Sequence, residues 1–409
     1  MRSASPSDRA APRSVDILIA GAGVMGAATA YWLSRHDPAL SILLVERDPA
    51  FTHASSSLSA SSIRQQFTTP VNIALSAFGI AFLREASSGS GHSNWSGPAI
   101  ELGLTEPGYL YLATPEQEAG LRAAHEIQRA NNAAVALLSR AALNERFPWL
   151  STDGLALGSL GLSGEGWFDG PALHRALLGR ARAEGTTLAA AEVTGIELDQ
   201  RPGADSARVA TVRLSNGEHV QCGQFVNAAG PWSGAIAAMA GIDLPVVASR
   251  RTVFVLSCPS PLAGCPLLID PSGFWLRPEG RYLITGCPPL DVSDNLPLDP
   301  DWRELDHAAW ERLARRIPSL EAMRVERAWA GYYEMNRFDH NAIIGPHPAI
   351  SNFWMICGFS GHGMQHAPGA GLALSEWMLE GAPRTIDVRA LGYTRLERGE
   401  RLPELNVIG

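Results

Sequence analysis

The sequence predicts an α/β fold with a Rossmann-type domain and an interleaved antiparallel-sheet domain of α+β character. Three observations support this prediction. A strand–glycine loop–helix–strand unit opens the chain, Asn216-Gly217 predicts a hairpin, and four short strand-like segments follow one another between 251 and 285. With 409 residues, the chain also exceeds what one compact core usually holds. The two kinds of strand alternate along the chain, which predicts discontinuous domains.

The opening unit is a βαβ pattern of about 30 residues. Residues 15–20 form an apolar run typical of a buried strand, and residues 27–35 carry small residues suited to a helix packed on a sheet. A second apolar strand, residues 41–45, ends in the acidic residue Glu46. The glycine-rich turn between the first strand and the helix therefore stands where a parallel sheet binds ligands.

Three glycines of that turn, Gly21, Gly23 and Gly26, have the spacing Gly-x-Gly-x-x-Gly. The first permits a tight turn, the second a close approach of the backbone to a pyrophosphate, and the third close packing of helix on sheet. The helix N-terminus then offers free N–H groups to phosphates. Glu46, 20 residues after Gly26, is placed to accept hydrogen bonds from ribose hydroxyls. The pattern predicts a dinucleotide site but does not separate FAD from NAD.

Composition excludes several other classes of protein. The net charge of −8 gives no electrostatic reason to bind nucleic acid or an anionic membrane, and no apolar run is long enough to span a bilayer. Five cysteines without a Cys-x-x-Cys pair predict neither a disulfide framework nor a metal site, and they favour a cytoplasmic location. For the eleven tryptophans, core packing is the ordinary explanation and aromatic pocket walls are the alternative.

Further segments decide between the two dinucleotides. They are residues 54–67 (ASSSLSASSIRQQF), 226–232 (VNAAGPW), 329–333 (WAGYY), 341–348 (NAIIGPHP) and 358–369 (GFSGHGMQHAPG). With the glycine fingerprint they resemble the D-amino acid oxidase superfamily of flavoproteins, in particular the branch holding sarcosine oxidase beta-type subunits and a mitochondrial FAD-dependent oxidoreductase domain protein. The resemblance covers residues 15–381 and implies FAD as the cofactor.

The resemblance and the fingerprint together give a set of expected cofactor contacts. The Ser-rich segment offers hydroxyls to the pyrophosphate and the flavin rim, and the late glycine turn aims a helix N-terminus at the flavin, where it would stabilise the reduced anion. The expected contacts are Gly21, Gly23, Val24, Met25, Gly26, Glu46, Arg47, Ser56, Ser57, Ser61, Ser62, Ile63, Val193, Ala229, Gly230, Trp232, Gly361, His362, Gly363, Met364 and Gln365.

Covalent attachment of the flavin is not expected. Dimethylglycine dehydrogenase-like members attach the ring through a histidine of the early loop, but here that stretch holds serines and His53 lies too early. Monomeric sarcosine oxidases use a cysteine before the late strand, where this chain has Gly331, Tyr332 and Tyr333. The prediction is therefore non-covalent FAD.

The expected catalytic residues are Arg64, Tyr333, Arg337, His362 and Gln365. In sarcosine oxidases the arginine of the element similar to residues 63–67 binds the substrate carboxylate, which implies that role for Arg64; a structural ion pair or a contact with the flavin phosphate is the alternative. Tyr333 stands at or next to the position where glycine oxidases and D-amino acid oxidases have a carboxylate-binding arginine, and so replaces it. Arg337 could compensate for that loss, and a surface arginine is the alternative. Gln365 replaces a carboxylate-binding lysine. His362 is expected at the flavin, His340 in a structural role, and Arg250 and Arg251 at exposed positions.

The expected domain boundaries follow from these segments. Residues 14–68, 150–240 and 325–409 are assigned to a discontinuous FAD-binding domain, and residues 69–149 and 241–324 to the substrate domain. Residues 1–13 are rich in Ser, Ala, Pro and Arg and are expected to be a disordered tail.

The functional expectation is oxidation of a C–N bond of an amine or N-alkyl amino acid, by hydride transfer to flavin N5 followed by hydrolysis of the imine. Oxygen or another acceptor would take the electrons, and the chain could form an oligomer. The alternatives are a flavoprotein that acts mainly in assembly and one subunit of a hetero-oligomeric sarcosine oxidase-like enzyme. A monooxygenase using NAD(P)H is disfavoured, because no second nucleotide fingerprint appears in the sequence.

Overall fold

The structure, a computed structural model, describes residues 12–89, 94–199, 206–305 and 308–406. Most of the expected tail, residues 1–11, therefore lies outside the described residues. The strands are β1 Ser14–Ala20, β2 Ile42–Glu46, β3 Ser62–Ile63, β4 Tyr109–Ala113, β5 Val135–Ser139, β6 Leu157–Gly161, β7 Gly166–Trp167, β8 Thr187–Ala190, β9 Val193–Asp199, β10 Arg208–Leu214, β11 His219–Asn227, β12 Val246–Ser257, β13 Leu267–Ile269, β14 Trp275–Glu279, β15 Tyr282–Gly286, β16 Arg324–Asn336, β17 Ile343–His347 and β18 Ile350–Cys357. The helices are α1 Val24–His36, α2 Ser55–Leu58, α3 Pro70–Ser88, α4 Glu118–Ala130, α5 Arg140–Arg146, α6 Gly170–Ala183, α7 Ser233–Ala238, α8 Ala308–Arg316, α9 Gly363–Glu380 and α10 Thr394–Glu397.

The first sheet has the Rossmann arrangement that the opening unit predicts. Its main order is β17-β18-β11-β1-β2-β8, and β18, β11, β1, β2 and β8 run parallel to their neighbours in this series. The predicted hairpin at Asn216-Gly217 joins β10 to β11. Helix α1 packs against α6 and α9, and most of its side chains are buried because small residues let the helices approach closely.

The second sheet contains eight strands among the described residues, in the order β16-β12-β15-β14-β13-β4-β6-β5. Its pairs are antiparallel apart from β13 with β4. The series of short strands expected between residues 251 and 285 is thus confirmed. Strands β6 and β16 both belong to this second sheet. The expected boundaries had assigned their residues, within 150–240 and 325–409, to the FAD-binding domain. The pairing partners, β4 and β5 for β6 and β12 for β16, decide which sheet each strand joins.

The long pair β12–β16 positions the site. Ser249 lies opposite Tyr333, Arg251 opposite Gly331, and Val253 opposite Trp329. Because side chains alternate along a strand, these residues share one face of the sheet, while the residues between them point to the other.

Two further features complete the fold. Helix α8, Ala308–Arg316, is preceded by a 3₁₀ turn at Trp302–Glu304. Among the described residues, none of the helices combines the length and apolarity needed to cross a membrane.

Candidate active site

A cavity of about 530 Å³ is lined by residues of both large sheets, a volume typical of ligand sites. The lining has two parts. The Rossmann wall is Gly21, Gly23, Glu46, Arg47 and Val193, and the substrate wall is Arg251, Val253, Trp275 and Tyr333. The start of α9 lies between the two in the fold, because it follows β18 of the first sheet and contacts β16 residues of the second.

The glycine turn of the Rossmann wall leaves no room for side chains. Gly21 has a φ of +97°, and a Cβ on it would lie 2.4 Å from the carbonyl oxygen of Ala228. A Cβ on Gly26 would lie 2.0 Å from the carbonyl oxygen of Gly21, so α1 starts directly against the turn. The Ser56 hydroxyl accepts a hydrogen bond from the Val24 N–H, 2.9 Å away. The result is a backbone cradle at a helix N-terminus, the usual site for a diphosphate.

Glu46 closes this cradle from the end of β2. Its Oε2 accepts a hydrogen bond from the Ala22 N–H at 3.0 Å, and its Oε1 accepts one from the Asp48 N–H at 2.9 Å. A carboxylate oxygen has more than one lone pair, so both oxygens keep acceptor capacity for ribose hydroxyls.

Arg47 and Trp232 form a flat rim beside Glu46. The Arg47 guanidinium lies 3.7 Å from the centroid of the Trp232 ring, and the edge of that ring meets Tyr332 at a centroid distance of 5.9 Å. Arg47 also pairs with Glu192 at 3.7 Å. These contacts hold the Arg47–Trp232 pair in the cavity wall, where it presents planar groups suited to stacking.

Helix α9 begins at the cavity with Gly363, Met364 and Gln365. His362 precedes the helix but its side chain does not cap it, so the first N–H groups have no side-chain partner there. The Gln365 side-chain oxygen accepts hydrogen bonds from the Arg64 N–H at 2.7 Å and from the Ser76 hydroxyl at 3.1 Å. The side-chain oxygen of Gln365 is therefore engaged by the protein.

These residues fit FAD. The cradle at Gly21 is closed to any Cβ, as a pyrophosphate contact requires, and Glu46 keeps acceptor capacity for a ribose. The positive end of α9 faces the same cavity and suits the negative charge of a reduced flavin. The chemistry that FAD supplies when bound is acceptance of a hydride from a substrate carbon.

Arg251 is the cation of the substrate wall. Its guanidinium lies 4.9 Å from the centroid of the Tyr333 ring, and its Nη1 donates to the Ser249 hydroxyl and to the Arg250 carbonyl, both at 2.9 Å. Its Nε is buried without a partner, and none of the described carboxylates lies within ion-pair distance of it. Burial lowers its pKa, yet a guanidinium stays charged at neutral pH. Arg251 is thus a cation without an ion pair among the described residues, and the carboxyl group of Glu304 acts on it only as a more distant charge.

The expectation that Arg250 and Arg251 are exposed is wrong. The Arg250 side chain is only 11% exposed and pairs with Asp301 at 3.1 Å. Both residues lie in the interior strand β12, so one points to the cavity and the other to the opposite layer of the sheet. The run Arg-Arg looks solvated in sequence because its pairing partners come from much later in the chain.

Tyr333 stands beside Arg251 and packs on the glycine turn before α9. A Cβ on Gly361, whose φ is +95°, would lie 2.3 Å from Cε2 of the Tyr333 ring, so only glycine permits this contact. Burial raises the pKa of Tyr333, which keeps the hydroxyl protonated. No hydrogen bond joins that hydroxyl to another of the described residues, and the neighbouring Arg251 Nη1 donates to the Ser249 hydroxyl instead. The Tyr333 hydroxyl is available as a donor to a ligand.

His362 is a buried histidine in the cavity lining. Neither of its ring nitrogens has a hydrogen-bond partner among the described residues. Burial, followed by the neighbouring His366 and Arg64, lowers the pKa of His362 well below its ordinary value. The ring is therefore neutral and can accept one hydrogen bond and donate another.

Glu334, next to Tyr333, is a buried carboxyl group in the same lining that the sequence did not single out. Its Oε2 accepts a hydrogen bond from the Gly358 N–H at 3.1 Å. Burial raises the pKa of Glu334 to about 7. A carboxyl group with so perturbed a pKa in a cleft is typical of functional sites.

Two expected catalytic residues lie outside the cavity lining. The Arg64 guanidinium donates to the carbonyl of Gln66 at 2.9 Å, to the Tyr111 hydroxyl at 2.8 Å and to the carbonyl of Asn406 at 2.6 Å. Arg337 lies at the surface, where it pairs with Asp294 and donates to the Val292 carbonyl at 3.0 Å. Both guanidinium groups are thus engaged by the protein.

Most of the expected cofactor contacts do line the cavity. They are Gly21, Gly23, Val24, Met25, Glu46, Arg47, Ser56, Ser61, Ser62, Val193, Ala229, Gly230, Trp232, Gly361, His362, Gly363, Met364 and Gln365. Gly26, Ser57 and Ile63 do not; Gly26 packs on Gly21, and Ile63 is a fully buried core side chain. His53, judged too early in the sequence to reach the flavin, lines the cavity as well.

Comparison with known proteins agrees with this geometry. The family described as FAD dependent oxidoreductase (DAO) matches residues 16–377. FAD-dependent oxidoreductase domain-containing protein 1 of Xenopus laevis is 36% identical, over 99% of this chain and 87% of its own length. Human mitochondrial sarcosine dehydrogenase is 26% identical, over 92% of this chain and 41% of its own length.

The fold also matches a solved structure. L-proline dehydrogenase from P. horikoshii superimposes with a TM-score of 0.83 and 22% identity, over 96% of this chain and 100% of the other. With the family match over most of the chain, and with a cavity whose residues fit FAD, the conclusion is direct: this chain is an enzyme of the DAO family of FAD-dependent oxidoreductases.

Proposed function

We propose that the protein oxidises a C–N bond of an amino acid or N-alkyl amino acid whose carboxylate binds to Arg251 and Tyr333. The observation that carries this proposal is the unpaired, largely buried Arg251 guanidinium in the cavity lining. A buried cation without an anion is costly, and such a site is retained where a ligand supplies the missing charge.

The polar groups around Arg251 suit a carboxylate. The guanidinium can donate two parallel hydrogen bonds to one carboxylate, and the free hydroxyl of Tyr333 adds a third donor on the same face of the sheet. The Arg251–Tyr333 stack also restricts the rotation of both side chains. Binding there would fix the orientation of the substrate, which is the main contribution that a flavoenzyme's protein makes to hydride transfer.

His362 supports the amine part of the proposal. Because its ring is neutral and both nitrogens are free, it can accept a hydrogen bond from a neutral amine without repelling it. The names of two similar proteins, sarcosine dehydrogenase and L-proline dehydrogenase, refer to amino acids with a secondary amine. These names support the substrate class and leave the substrate itself to experiment.

The first test is anaerobic reduction of the flavin in the purified holoprotein. Substrates would be added as matched pairs with and without the carboxylate, such as L-proline and pyrrolidine, or sarcosine and dimethylamine, along with D- and L-amino acids. We expect loss of the flavin absorbance near about 450 nm with one class of amino acid, and much weaker reduction by its partner without the carboxylate. Readmission of air then separates an oxidase from a dehydrogenase.

Two outcomes would contradict the proposal. Equal reduction by both members of every pair would remove the role of Arg251, and a yellow protein that no amine reduces would favour the assembly role or the need for a companion subunit. Acid precipitation of the same sample tests attachment: FAD that is not covalently bound passes into the supernatant. His53 is the histidine to inspect if the yellow colour stays with the pellet.

A cytoplasmic location stays part of the proposal. All five cysteines are free thiols in the structure, as a reducing compartment permits. The sarcosine dehydrogenase relative is named as mitochondrial, so fractionation of cells that express the protein is the deciding measurement.

A further inference from the structure

The face of the second sheet that meets the cavity carries a row of residues from four strands. Val253 of β12 lies opposite Trp329 of β16, and Trp275 of β14 lies opposite Gly286 of β15. The β12–β15 register, with Phe254 opposite Thr285, sets Val253 opposite Gly286 when continued by one residue. The row therefore reads Trp329, Val253, Gly286, Trp275 across the sheet, and it belongs to the same apolar cluster as Tyr109 and Tyr111.

Trp275 lies flat in this row and borders the cavity. A Cβ on Gly286 would lie 2.5 Å from the indole Nε1 of Trp275, so the indole covers the glycine. Trp275 and Val253 both line the cavity, and each is 7% exposed. Glycine at position 286 thus lets a large aromatic side chain lie along the sheet instead of standing up from it, which leaves open space above an apolar floor.

Arg251 stands on the same face, two residues along β12 from Val253. Trp275 is two strands away from β12, a separation of about 10 Å between backbones. A ligand that places its carboxylate on Arg251 therefore reaches the indole only with a sizeable second group. Glycine and sarcosine, whose two ends are separated by very few bonds, cannot engage both.

We propose that the substrate is an amino acid with a bulky apolar side chain or N-substituent, aromatic or branched, and that Trp275 is the residue that selects it. This proposal rests on the proposed function, because it takes the carboxylate of the substrate to be held by Arg251. Val253 forms the middle of the apolar floor, and its size limits how deep the substituent lies.

The test compares flavin reduction by small and bulky substrates in the holoenzyme. The panel is glycine, sarcosine, and the D- and L-forms of leucine, phenylalanine and their N-methyl derivatives, with the rate constant and apparent Kd measured for each. In the unmodified protein we expect the best bulky substrate to exceed glycine and sarcosine by at least about tenfold in rate constant over Kd, the usual range for discrimination by a hydrophobic pocket.

Three variants assign that preference to residues. Trp275→Ala is expected to remove about tenfold of the preference for bulky substrates, while Trp275→Phe keeps most of it, because an aromatic face remains. Val253→Phe fills the floor and is expected to slow reduction by bulky substrates at least about tenfold more than reduction by small ones. Trp302→Ala is the matched control, since that tryptophan is 51% exposed and packs on Phe254 of the opposite face.

The outcomes separate this proposal from the one on which it rests. If no amine reduces the flavin, the proposed function fails. If glycine or sarcosine reduces it as well as any bulky amino acid, or if Val253→Phe leaves the preference unchanged, the role of Trp275 is overturned while the proposed function stands. Bound FAD per chain and the unfolding temperature are measured for every variant, and Val253→Phe decides the matter if Trp275→Ala does not fold.

Discussion

The Rossmann wall and the substrate wall line one cavity but treat their polar groups differently. On the Rossmann wall, both carboxylate oxygens of Glu46 accept backbone hydrogen bonds, and Ser56 beside it caps the start of α1. On the substrate wall, the Arg251 Nε and the Tyr333 hydroxyl have no partner among the described residues. The polar groups of the Rossmann wall already have hydrogen-bond partners within the protein, whereas these two groups of the substrate wall lack them in the described part of the chain.

The difference reflects what each wall binds. A cofactor that stays bound is served by a rigid backbone cradle with its acid already oriented. A substrate that enters and leaves is served by polar groups whose partners are supplied only in the complex. Leaving a buried group such as the Arg251 Nε unpaired costs about 1–3 kcal/mol, a cost that is retained where the group has a function.

The largest effect is expected from closing the cradle of the Rossmann wall. Gly26→Val would drive a side chain into the carbonyl group of Gly21. That group belongs to the packed backbone and cannot move aside. We expect a cost at or above about 4 kcal/mol, seen as protein purified without FAD or not purified at all. The measurement is the ratio of flavin to protein absorbance after gel filtration.

Gly120→Ala is the matched control, because a Cβ on Gly120 in helix α4 would have no other atom within 4 Å. It should retain FAD and gain about 0.5–1 kcal/mol of stability from the better helix former. A Gly26→Val protein with full FAD content would contradict the view that the Rossmann wall is complete and rigid.

The second effect concerns the open wall. Arg251→Met removes the cation but keeps the length of the side chain, so we expect kcat/KM for the amino acid substrate to fall roughly 100-fold, equivalent to about 2.8 kcal/mol. FAD content should stay unchanged if the two walls are as separate as the structure indicates.

Arg337→Met distinguishes the two arginines. Arg337 pairs with Asp294 at the surface, and exposed ion pairs contribute about 0–1 kcal/mol, so a change of less than about fivefold is expected. A larger loss from Arg337→Met than from Arg251→Met would move the carboxylate site to Arg337, which the sequence offered as a substitute for the arginine replaced at Tyr333.

The third effect is on stability and its dependence on pH. Burial raises the pKa of Glu334 to about 7, so the folded chain keeps this proton at pH values where the unfolded chain has released it. The contribution of this bound proton to the free energy of unfolding is fully present below the ordinary pKa of 4.5 and is lost as the pH rises towards about 7. Glu334→Gln should remove this loss, about 2 kcal/mol between about pH 5 and pH 7.

The measurement is urea unfolding of the FAD-free protein and its Glu334→Gln variant across that pH range. The free energies of unfolding are subtracted at each pH, so that titration of all other groups cancels. If the difference in the free energy of unfolding between the two proteins does not change with pH, burial does not hold Glu334 protonated, and its carboxyl group does not destabilise the folded chain near pH 7.

The sequence predicted the Rossmann wall almost residue by residue. Gly21, Gly23 and Glu46 act through local geometry: a turn, a helix start and the end of the next strand all lie within one βαβ unit. Their positions relative to one another depend little on the rest of the fold, so motif spacing is enough to find them. The late glycine turn with His362 was expected from the family resemblance instead.

The substrate wall was predicted only in part. Tyr333 was singled out, but Arg251 was expected to be exposed and Trp275 was not distinguished from the other tryptophans. Arg64 and Arg337, expected to bind substrate, are held by the protein instead. Strand pairing explains these errors, because Arg251 faces the cavity through the register of β12 with a strand about 80 residues later.

The sequence by itself therefore determined the fold class and the cofactor cradle, which depend on local patterns, and the family and the cofactor, which short segments along the chain indicate by their resemblance to known flavoproteins. Only the tertiary structure decided which arginine lacks an ion pair, which tryptophan lines the cavity and which carboxyl group is buried in the same lining. Those properties depend on sheet register and on burial, which are set by contacts between residues far apart in sequence and have no local signature.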